Sequence, residues 1–159
     1  MKETSYVMVK PHFADYTNVI DYVKGRLQNE LGLTIELEGY LKYSTKDAQE
    51  HYAEHFRGSY ENAKGFYKEL EDYITSGTAF GMKVTGEDAI AKIRSITGST
   101  IKIDKETGDK ILPDAGTIRY EVPVMLGEAH DMTANVLHAS DKTTSAENEL
   151  AIFERLIQK

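Results

Sequence analysis

The chain contains no cysteine, which excludes disulfide bonds and thiolate chemistry. No apolar run approaches the roughly 18 residues that a membrane-spanning helix needs. The N-terminal residues also lack the pattern of a secretory signal peptide. We therefore expect a cytoplasmic protein with no membrane partner.

Two nucleotide-binding signatures are also missing, the Gly-x-x-x-x-Gly-Lys-Ser/Thr loop and the glycine-rich dinucleotide loop. If the protein handles a nucleotide, side chains must therefore hold its phosphates. The net charge of −7 argues against a nucleic-acid partner, because a nucleic-acid surface needs a basic patch. It leaves room for a small anionic substrate, because a local cluster of Arg and Lys can hold phosphate inside an acidic protein.

The composition that is present is typical of one compact domain. The 159 residues are 40% apolar and 28% charged, which is enough apolar material for a buried core and an ordinary charged surface. The chain shows no internal repeat and no low-complexity linker. We expect a single domain over residues 1–159.

Hydrophobic periodicity indicates a series of strands and helices. The predicted strands cover residues 6–9, 33–41, 78–84 and 135–138, and the predicted helices 17–31, 45–55, 59–74, 86–96 and 144–156, with a loop at 98–118. This order contains two interleaved β-α-β units. We therefore predict an α/β (α+β) protein with a ferredoxin-like sandwich, in which helices cover a four-stranded antiparallel sheet.

The histidines are the first candidates for chemistry. His51 and His55 are four residues apart on a predicted helix, but the sequence places no third metal ligand beside them, so we favour a solvated helix face. His138 ends an apolar strand, and Glu149 follows eleven residues later on the next helix. Such a carboxylate can hold one ring nitrogen protonated while the other acts as a nucleophile. A purely structural histidine fits the same pattern.

Three basic residues are candidates for holding phosphate, namely Lys10, Arg94 and Arg119. Lys10 lies at the end of a buried strand, before Pro11, where such a strand can open onto a site. Taken one at a time, each of the three is typical of an ordinary surface charge.

Six short motifs, in order along the chain, resemble those of the nucleoside diphosphate kinase family. They are Met8–Pro11, His51-Tyr52, Ser76-Gly77, Gly116–Arg119, Asn135–Asp141 and Ser145–Glu149. The resemblance implies an enzyme that transfers the γ-phosphoryl group of a nucleoside triphosphate, typically ATP, to a nucleoside diphosphate. Transfer would follow a ping-pong course through phosphohistidine at His138.

The resemblance also implies roles for the residues around the nucleophile. Glu149 would accept a hydrogen bond from the ring nitrogen that does not attack, and Ser140 would support that carboxylate. Lys10 and Tyr52 would lie beside the transferred phosphate. Asn135, together with Lys10, would hold the 3′-hydroxyl of the sugar.

Other residues would hold the rest of the nucleotide. Arg94 and Thr100 would bind the β-phosphate and Arg119 the γ-phosphate, while Phe66 would stack on the base, with Tyr67 as its substitute. Mg²⁺ would bridge the phosphates and need few protein ligands. Because the family forms hexamers or tetramers built from dimers, we expect a homo-oligomer.

The sequence departs from the family pattern in several places. His12-Phe13 follows Pro11 where Asp-Gly is usual, Ala139 replaces a glycine, and Ile101-Lys102 replaces Asn-Pro. Extra residues occur near 53–65, 101–113 and 121–133. The first two of these segments flank the expected nucleotide cleft, where they could act as lids or be neutral decoration.

Two other functions are compatible with the same residues. One is a nucleotide-binding regulatory module of this fold that has lost turnover. The other is a relay of phosphate from His138 to a protein partner. The complete set of candidate active-site side chains favours the active kinase over the first alternative, and the sequence leaves the second open.

Overall fold

A computed structural model of the chain describes residues 1–56 and 64–157. Six strands are present in the described residues: β1 (Lys2–Val9), β2 (Thr34–Leu41), β3 (Ala79–Glu87), β4 (Lys102–Ile103), β5 (Lys110–Ile111) and β6 (Leu137–Ala139). The helices are α1 (Thr17–Gly25), α2 (Thr45–Phe56), α3 (Lys64–Ile74), α4 (Ala89–Thr97), α5 (Ile118–Leu126) and α6 (Thr143–Ile157). None of the helices in these residues is long and apolar enough to cross a membrane.

The main sheet has the strand order β2-β3-β1-β6, and every neighbouring pair is antiparallel. Strand β1 lies inside the sheet, between β3 and β6, and its second half, Tyr6–Val9, is entirely buried. It pairs with β3 over its full length and with β6 at its end, where Met8 lies opposite His138. The predicted fold class, a four-stranded antiparallel sheet covered by helices, is confirmed.

Side chains of β1 point alternately into two cores, because successive residues of a strand face opposite sides of a sheet. Val7 and Val9 belong to the core that contains α1, α4 and α5. Tyr6 and Met8 belong to the core on the other side, which contains α2, α3 and α6. The end of β1 and all of β6 thus lie between two helical layers.

The segment after α4 comes close to the start of α5. Gly98 ends α4 with φ of 94°, and a Cβ placed there would lie 2.5 Å from Thr117 Oγ1. Only glycine meets both conditions, a positive φ and no room for a side chain. This close contact brings the two loops that flank the site together.

Some element predictions were wrong. The expected loop at 98–118 contains the β4–β5 hairpin, and α5 was not predicted. Gly86, expected to begin a helix, lies in β3. The helix that begins at Thr17 ends at Gly25 and continues as a π-helical turn to Glu30. The predicted helix start at residue 59 lies outside the described residues.

Candidate active site

A cavity of about 590 Å³ opens beside β6. Residues from five regions line it: Tyr52, Leu70, Arg94, Gly98, Ser99, Thr100, Ile101, Arg119, Met132, Asn135, His138, Ala139 and Asp141. Six of the predicted site residues are among them. Three more are connected to this lining: Lys10 contacts Asn135, Glu149 contacts His138, and Ser140 contacts Glu149. The side chain of Phe66, the tenth, and that of its substitute Tyr67 lie outside the described residues.

His138 is held from behind by a buried carboxylate. Its Nε2 lies 2.9 Å from Oε1 of Glu149, a side chain with 2% exposure on the first turns of α6. Ser140 donates a 2.8 Å hydrogen bond from Oγ to the same carboxylate oxygen, and it accepts one from the backbone N–H of Tyr6. Because Nε2 faces Glu149, Nδ1 is the ring nitrogen on the side away from that carboxylate.

Lys10 reaches the site from the end of β1. Its backbone N–H donates to the carbonyl of Val136, and its Nζ donates a 2.7 Å hydrogen bond to Oδ1 of Asn135. Burial, and then the nearby positive charge of Arg119, lower the pKa of Lys10 to about 7. A phosphate next to Nζ would favour the protonated, positively charged form.

Arg119 is fixed by three backbone carbonyls. Its guanidinium donates hydrogen bonds of 2.8–3.1 Å to the carbonyls of Gly98, Asn135 and Leu137. Burial, followed by repulsion from Arg94, lowers the pKa of Arg119 to about 10, so the side chain keeps its charge at neutral pH. One arginine thereby joins the end of α4 to the strand that carries His138.

Arg94 forms an ion pair with Asp141 at the mouth of the cavity. Both side chains are about half exposed, with 51% and 43% of their surfaces accessible. Exposed pairs of this kind contribute little to stability, typically 0–1 kcal/mol. An incoming phosphate can therefore compete with Asp141 for the guanidinium, and Thr100 lines the same part of the cavity.

The prediction that His51 belongs to a solvated helix face is wrong. His51 is 3% exposed, and its ring packs edge-on against His138, with 4.6 Å between the ring centroids. The sequence carried the signal, because Ala48, His51 and Tyr52 follow the i, i+3, i+4 spacing of a buried helix stripe, and all three are buried. The side chain of His55 lies outside the described residues.

Sequence reasoning missed the apolar part of the cavity wall. Leu70 of α3, Ile101 and Met132 line it, and Met132 is 44% exposed. Leu70 lies four residues after Phe66, which is one helical turn, so helix spacing could have indicated it. Met132 lies in the loop after α5, where the sequence offers no comparable signal.

Two departures in the sequence have clear structural consequences. His12 adopts φ of 76°, and its Nε2 lies 2.8 Å from Oε2 of Glu128. The neighbouring Pro11 carbonyl accepts a hydrogen bond from the hydroxyl of Tyr73.

Ala139 is not among the described non-glycine residues with positive φ, so at this position a small side chain suffices and glycine is not required.

Comparison with known proteins identifies the family. The family model described as nucleoside diphosphate kinase matches residues 3–155. The chain is 36% identical over 158 residues to a nucleoside diphosphate kinase of Bacillus licheniformis, covering 95% of this chain and 87% of that protein. It is 35% identical to one of Archaeoglobus fulgidus, covering 95% and 85%. The chain belongs to the nucleoside diphosphate kinase family.

Solved structures of the family have the same fold. A nucleoside diphosphate kinase of Halobacterium salinarum in complex with CDP matches with a TM-score of 0.73 and 30% identity, covering 96% of this chain and 88% of that one. The kinase of Aquifex aeolicus matches with a TM-score of 0.70 and 25% identity, covering 96% and 95%. The chain is thus an enzyme, a nucleoside diphosphate kinase that acts on nucleotides.

Proposed function

We propose that this kinase transfers phosphoryl groups through Nδ1 of His138. The observation that carries the proposal is the pairing of Nε2 with the buried carboxylate of Glu149, which leaves Nδ1 as the nitrogen for attack. In the first half-reaction, the bond between the γ-phosphorus and the bridging oxygen breaks as a bond to Nδ1 forms, and the diphosphate leaves. In the second, a β-phosphate oxygen of another diphosphate takes the phosphoryl group from Nδ1.

Glu149 has two roles in this scheme. It holds the proton on Nε2, so the lone pair is on Nδ1, and it stabilises the positive charge that develops on the ring during attack. Ser140 orients the carboxylate through its 2.8 Å hydrogen bond. Together they act as positioning residues for the nucleophile.

Three basic side chains, Lys10, Arg94 and Arg119, would surround the phosphoryl group as it moves. Phosphoryl transfer demands mainly in-line positioning and charge stabilisation from the protein. Lys10 and Tyr52 would contact the transferred group, Arg119 the γ-phosphate, and Arg94 with Thr100 the β-phosphate. The burial of Lys10 and the partial burial of Arg119 strengthen their attraction for phosphate, because water screens it less.

The remaining contacts would hold the nucleoside. Asn135 Oδ1, now bonded to Nζ of Lys10, lies where the two side chains can share the sugar 3′-hydroxyl. Phe66 would stack on the base, and the apolar Leu70 and Met132 offer further surface without reading its edge. A site of this kind accepts many bases, because every base has a π face.

Mg²⁺ fits this site as a partner of the nucleotide. Among the described residues that line the cavity, Asp141 is the one carboxylate. Magnesium on nucleotides is usually held by phosphate oxygens, waters and one or two carboxylates. We propose that Mg²⁺ is bound mainly through the phosphates, where it neutralises part of their charge.

The oligomeric state belongs to the proposal as well. Strand β2 is at one edge of the sheet, and Leu37 and Tyr40 on it are 36% and 54% exposed. An exposed apolar edge strand is a template for pairing with a second chain. This supports a homo-oligomer, a tetramer or hexamer built from dimers of single-domain subunits. A cytoplasmic location stays a prediction from the sequence.

Labelling with γ-labelled ATP and Mg²⁺ tests the role of His138. Wild-type protein is expected to acquire an acid-labile, base-stable label, and a mixture of nucleoside diphosphates should remove it within seconds. His138→Ala should acquire none. Label that persists in the presence of diphosphates would point to a protein acceptor, and equal label on His138→Ala would refute the assignment of the nucleophile.

A further inference from the structure

Three side chains that commonly bind metals meet behind the cavity. His51 comes from α2, His138 from β6 and Glu149 from α6, and one potential ligand atom from each lies within 4.8 Å of the other two. All three residues are well shielded from water, with 3%, 12% and 2% exposure. Three separate elements contribute them, so the fold and not the local sequence brings them together.

We propose that this cluster binds Zn²⁺ or a chemically similar divalent ion, and that the bound ion stops phosphorylation of His138. Two imidazoles and one carboxylate match the protein ligands of many zinc sites with an open fourth position. Mg²⁺ prefers oxygen ligands and would avoid the cluster, so this site is separate from the magnesium that accompanies the nucleotide.

The geometry requires only small movements. Zinc bonds of about 2.0–2.2 Å in a tetrahedron place neighbouring ligand atoms about 3.3 Å apart. His138 Nε2 and Glu149 Oε1, at 2.9 Å, need to separate slightly, and no pair in the cluster exceeds 4.8 Å. A tetrahedral ion held by these three side chains would take a water molecule as its fourth ligand.

The surroundings of the cluster would keep the ligands oriented. Ser140 donates a hydrogen bond to Oε1 of Glu149. The ring of His51 has edge-on contacts with Tyr43 and Tyr52, at centroid distances of 5.5 and 4.7 Å. Such outer contacts raise metal affinity because they fix the ligand side chains before the ion arrives.

Inhibition follows from where the ion would bind on the ring. A metal bound at Nε2 takes the lone pair of that nitrogen, so the proton of the neutral ring moves to Nδ1. Nδ1 then has no lone pair with which to attack phosphorus. The ion would block chemistry without filling the nucleotide cavity. This second part of the inference rests on the proposed role of His138, whereas metal binding itself does not.

Cobalt is the direct probe of the binding site, because tetrahedral Co²⁺ absorbs visible light and zinc does not. Titration of the nucleotide-free protein with Co²⁺ should produce such a spectrum at one equivalent, and Zn²⁺ should abolish it. His51→Phe, which keeps a ring of similar size but removes the ligand, should weaken binding at least about 30-fold. His130→Phe, outside the cluster, is the matched control and should bind as wild type does.

Two results of the cobalt titration would contradict metal binding by the cluster. An absent spectrum, or equal affinity in wild type and His51→Phe, would overturn it and leave His51 as a packing residue. If His51→Phe does not fold, as judged by circular dichroism, His51→Gln and Glu149→Gln give the same comparison with less change in shape.

A second experiment tests inhibition separately from binding. Protein is loaded with one equivalent of Zn²⁺, separated from excess ion, and given γ-labelled ATP with Mg²⁺. Phosphoenzyme formation should fall at least about tenfold and return after a chelator, while ADP affinity measured by calorimetry stays unchanged. Full labelling of the loaded enzyme would refute inhibition. Absence of label on the metal-free enzyme would instead refute the proposed nucleophile, with the cobalt result unaffected.

Discussion

Individual buried side chains determine how this site works. Glu149 and Lys10 are ionisable groups with 2% and 5% exposure. Glu149 contacts His138, and Lys10 contacts Asn135. Burying such groups costs free energy, and buried ionisable groups are nevertheless common in active sites. Changing the charge of either side chain should therefore alter the chemistry of the site.

Replacement of Glu149 by glutamine should slow phosphorylation of His138 about 100-fold. Glutamine keeps the shape of the side chain but cannot stabilise the positive ring that forms during attack. Rapid-quench measurement of phosphoenzyme formation at saturating Mg-ATP gives the rate. Glu147→Gln, an exposed change on the same helix, should leave the rate within about twofold. Equal rates in the two variants would show that the carboxylate of Glu149 has no electrostatic role.

The pKa of Lys10 predicts a pH dependence for the free enzyme. Burial lowers this pKa to about 7, so Lys10 loses its positive charge as the pH rises through that value. The kcat/KM of wild type should fall in the same range, relative to Lys10→Arg, whose guanidinium stays charged. The kcat should decline only at higher pH, because bound phosphate favours the protonated lysine.

The comparison with Lys10→Arg separates the titration of Lys10 from that of the nucleotide in the pH dependence of kcat/KM. The phosphates of the free nucleotide ionise alike in both assays, so their effect cancels in the ratio of kcat/KM values. A ratio that stays constant from pH 6 to pH 9 would contradict a lowered pKa for Lys10 in the free enzyme.

The connection into β6 is under backbone strain. Val136, immediately before the strand, has φ of 80°, a value that β-branched residues rarely adopt. It is fully buried, and its carbonyl accepts the backbone hydrogen bond of Lys10. The strained residue thus joins the end of β1 to the strand that carries the nucleophile, as strained residues at functional sites often do.

This strain should reverse the usual order of stability, in which a glycine variant is less stable than the alanine variant at the same position. Val136→Ala removes buried methyl groups at a cost of about 2 kcal/mol. Val136→Gly removes them too but relieves a strain of roughly 1–2 kcal/mol, so it should be at least as stable as the alanine variant in urea unfolding. At Val122, buried within α5, glycine should be less stable than alanine by about 1 kcal/mol. If Val136→Gly is less stable than Val136→Ala, the positive φ of residue 136 does not destabilise the protein.

The sequence predicted some elements well and others not at all. Long periodic segments such as β1 and α6 have continuous hydrophobic patterns, so their positions follow from spacing. Helix α5 contains Pro123, a residue typical of helix ends, and that concealed the helix. The β4–β5 hairpin has two-residue strands that are exposed, so it has no buried face to produce a pattern.

The site shows a similar division. The motifs around His138, Lys10 and Arg119 pointed to residues that the structure does bring together. The burial of His51 against His138, and the three carbonyls that accept from Arg119, depend on contacts between elements distant in sequence. Spacing along one segment contains no information on such contacts, and therefore the sequence did not predict them.

The exposed edge of the sheet predicts how subunits associate. Light scattering should give a mass of four or six times the 17.9 kDa chain. Tyr40→Lys places a charge on the edge strand β2 and should lower the mass, because a charged edge resists pairing. Ile103→Lys on the β4–β5 hairpin is the control. Equal loss of mass in both variants would mean that β2 is not the specific contact.

In the proposed mechanism, Nδ1 of His138 carries the phosphoryl group while Nε2 faces Glu149. Nuclear magnetic resonance of the phosphoenzyme, correlating phosphorus with the ring protons, identifies the nitrogen that bears phosphorus. The geometry predicts phosphorus on Nδ1 of His138 and a signal that disappears when nucleoside diphosphate is added. Phosphorus on Nε2, or on another residue, would contradict this mechanism.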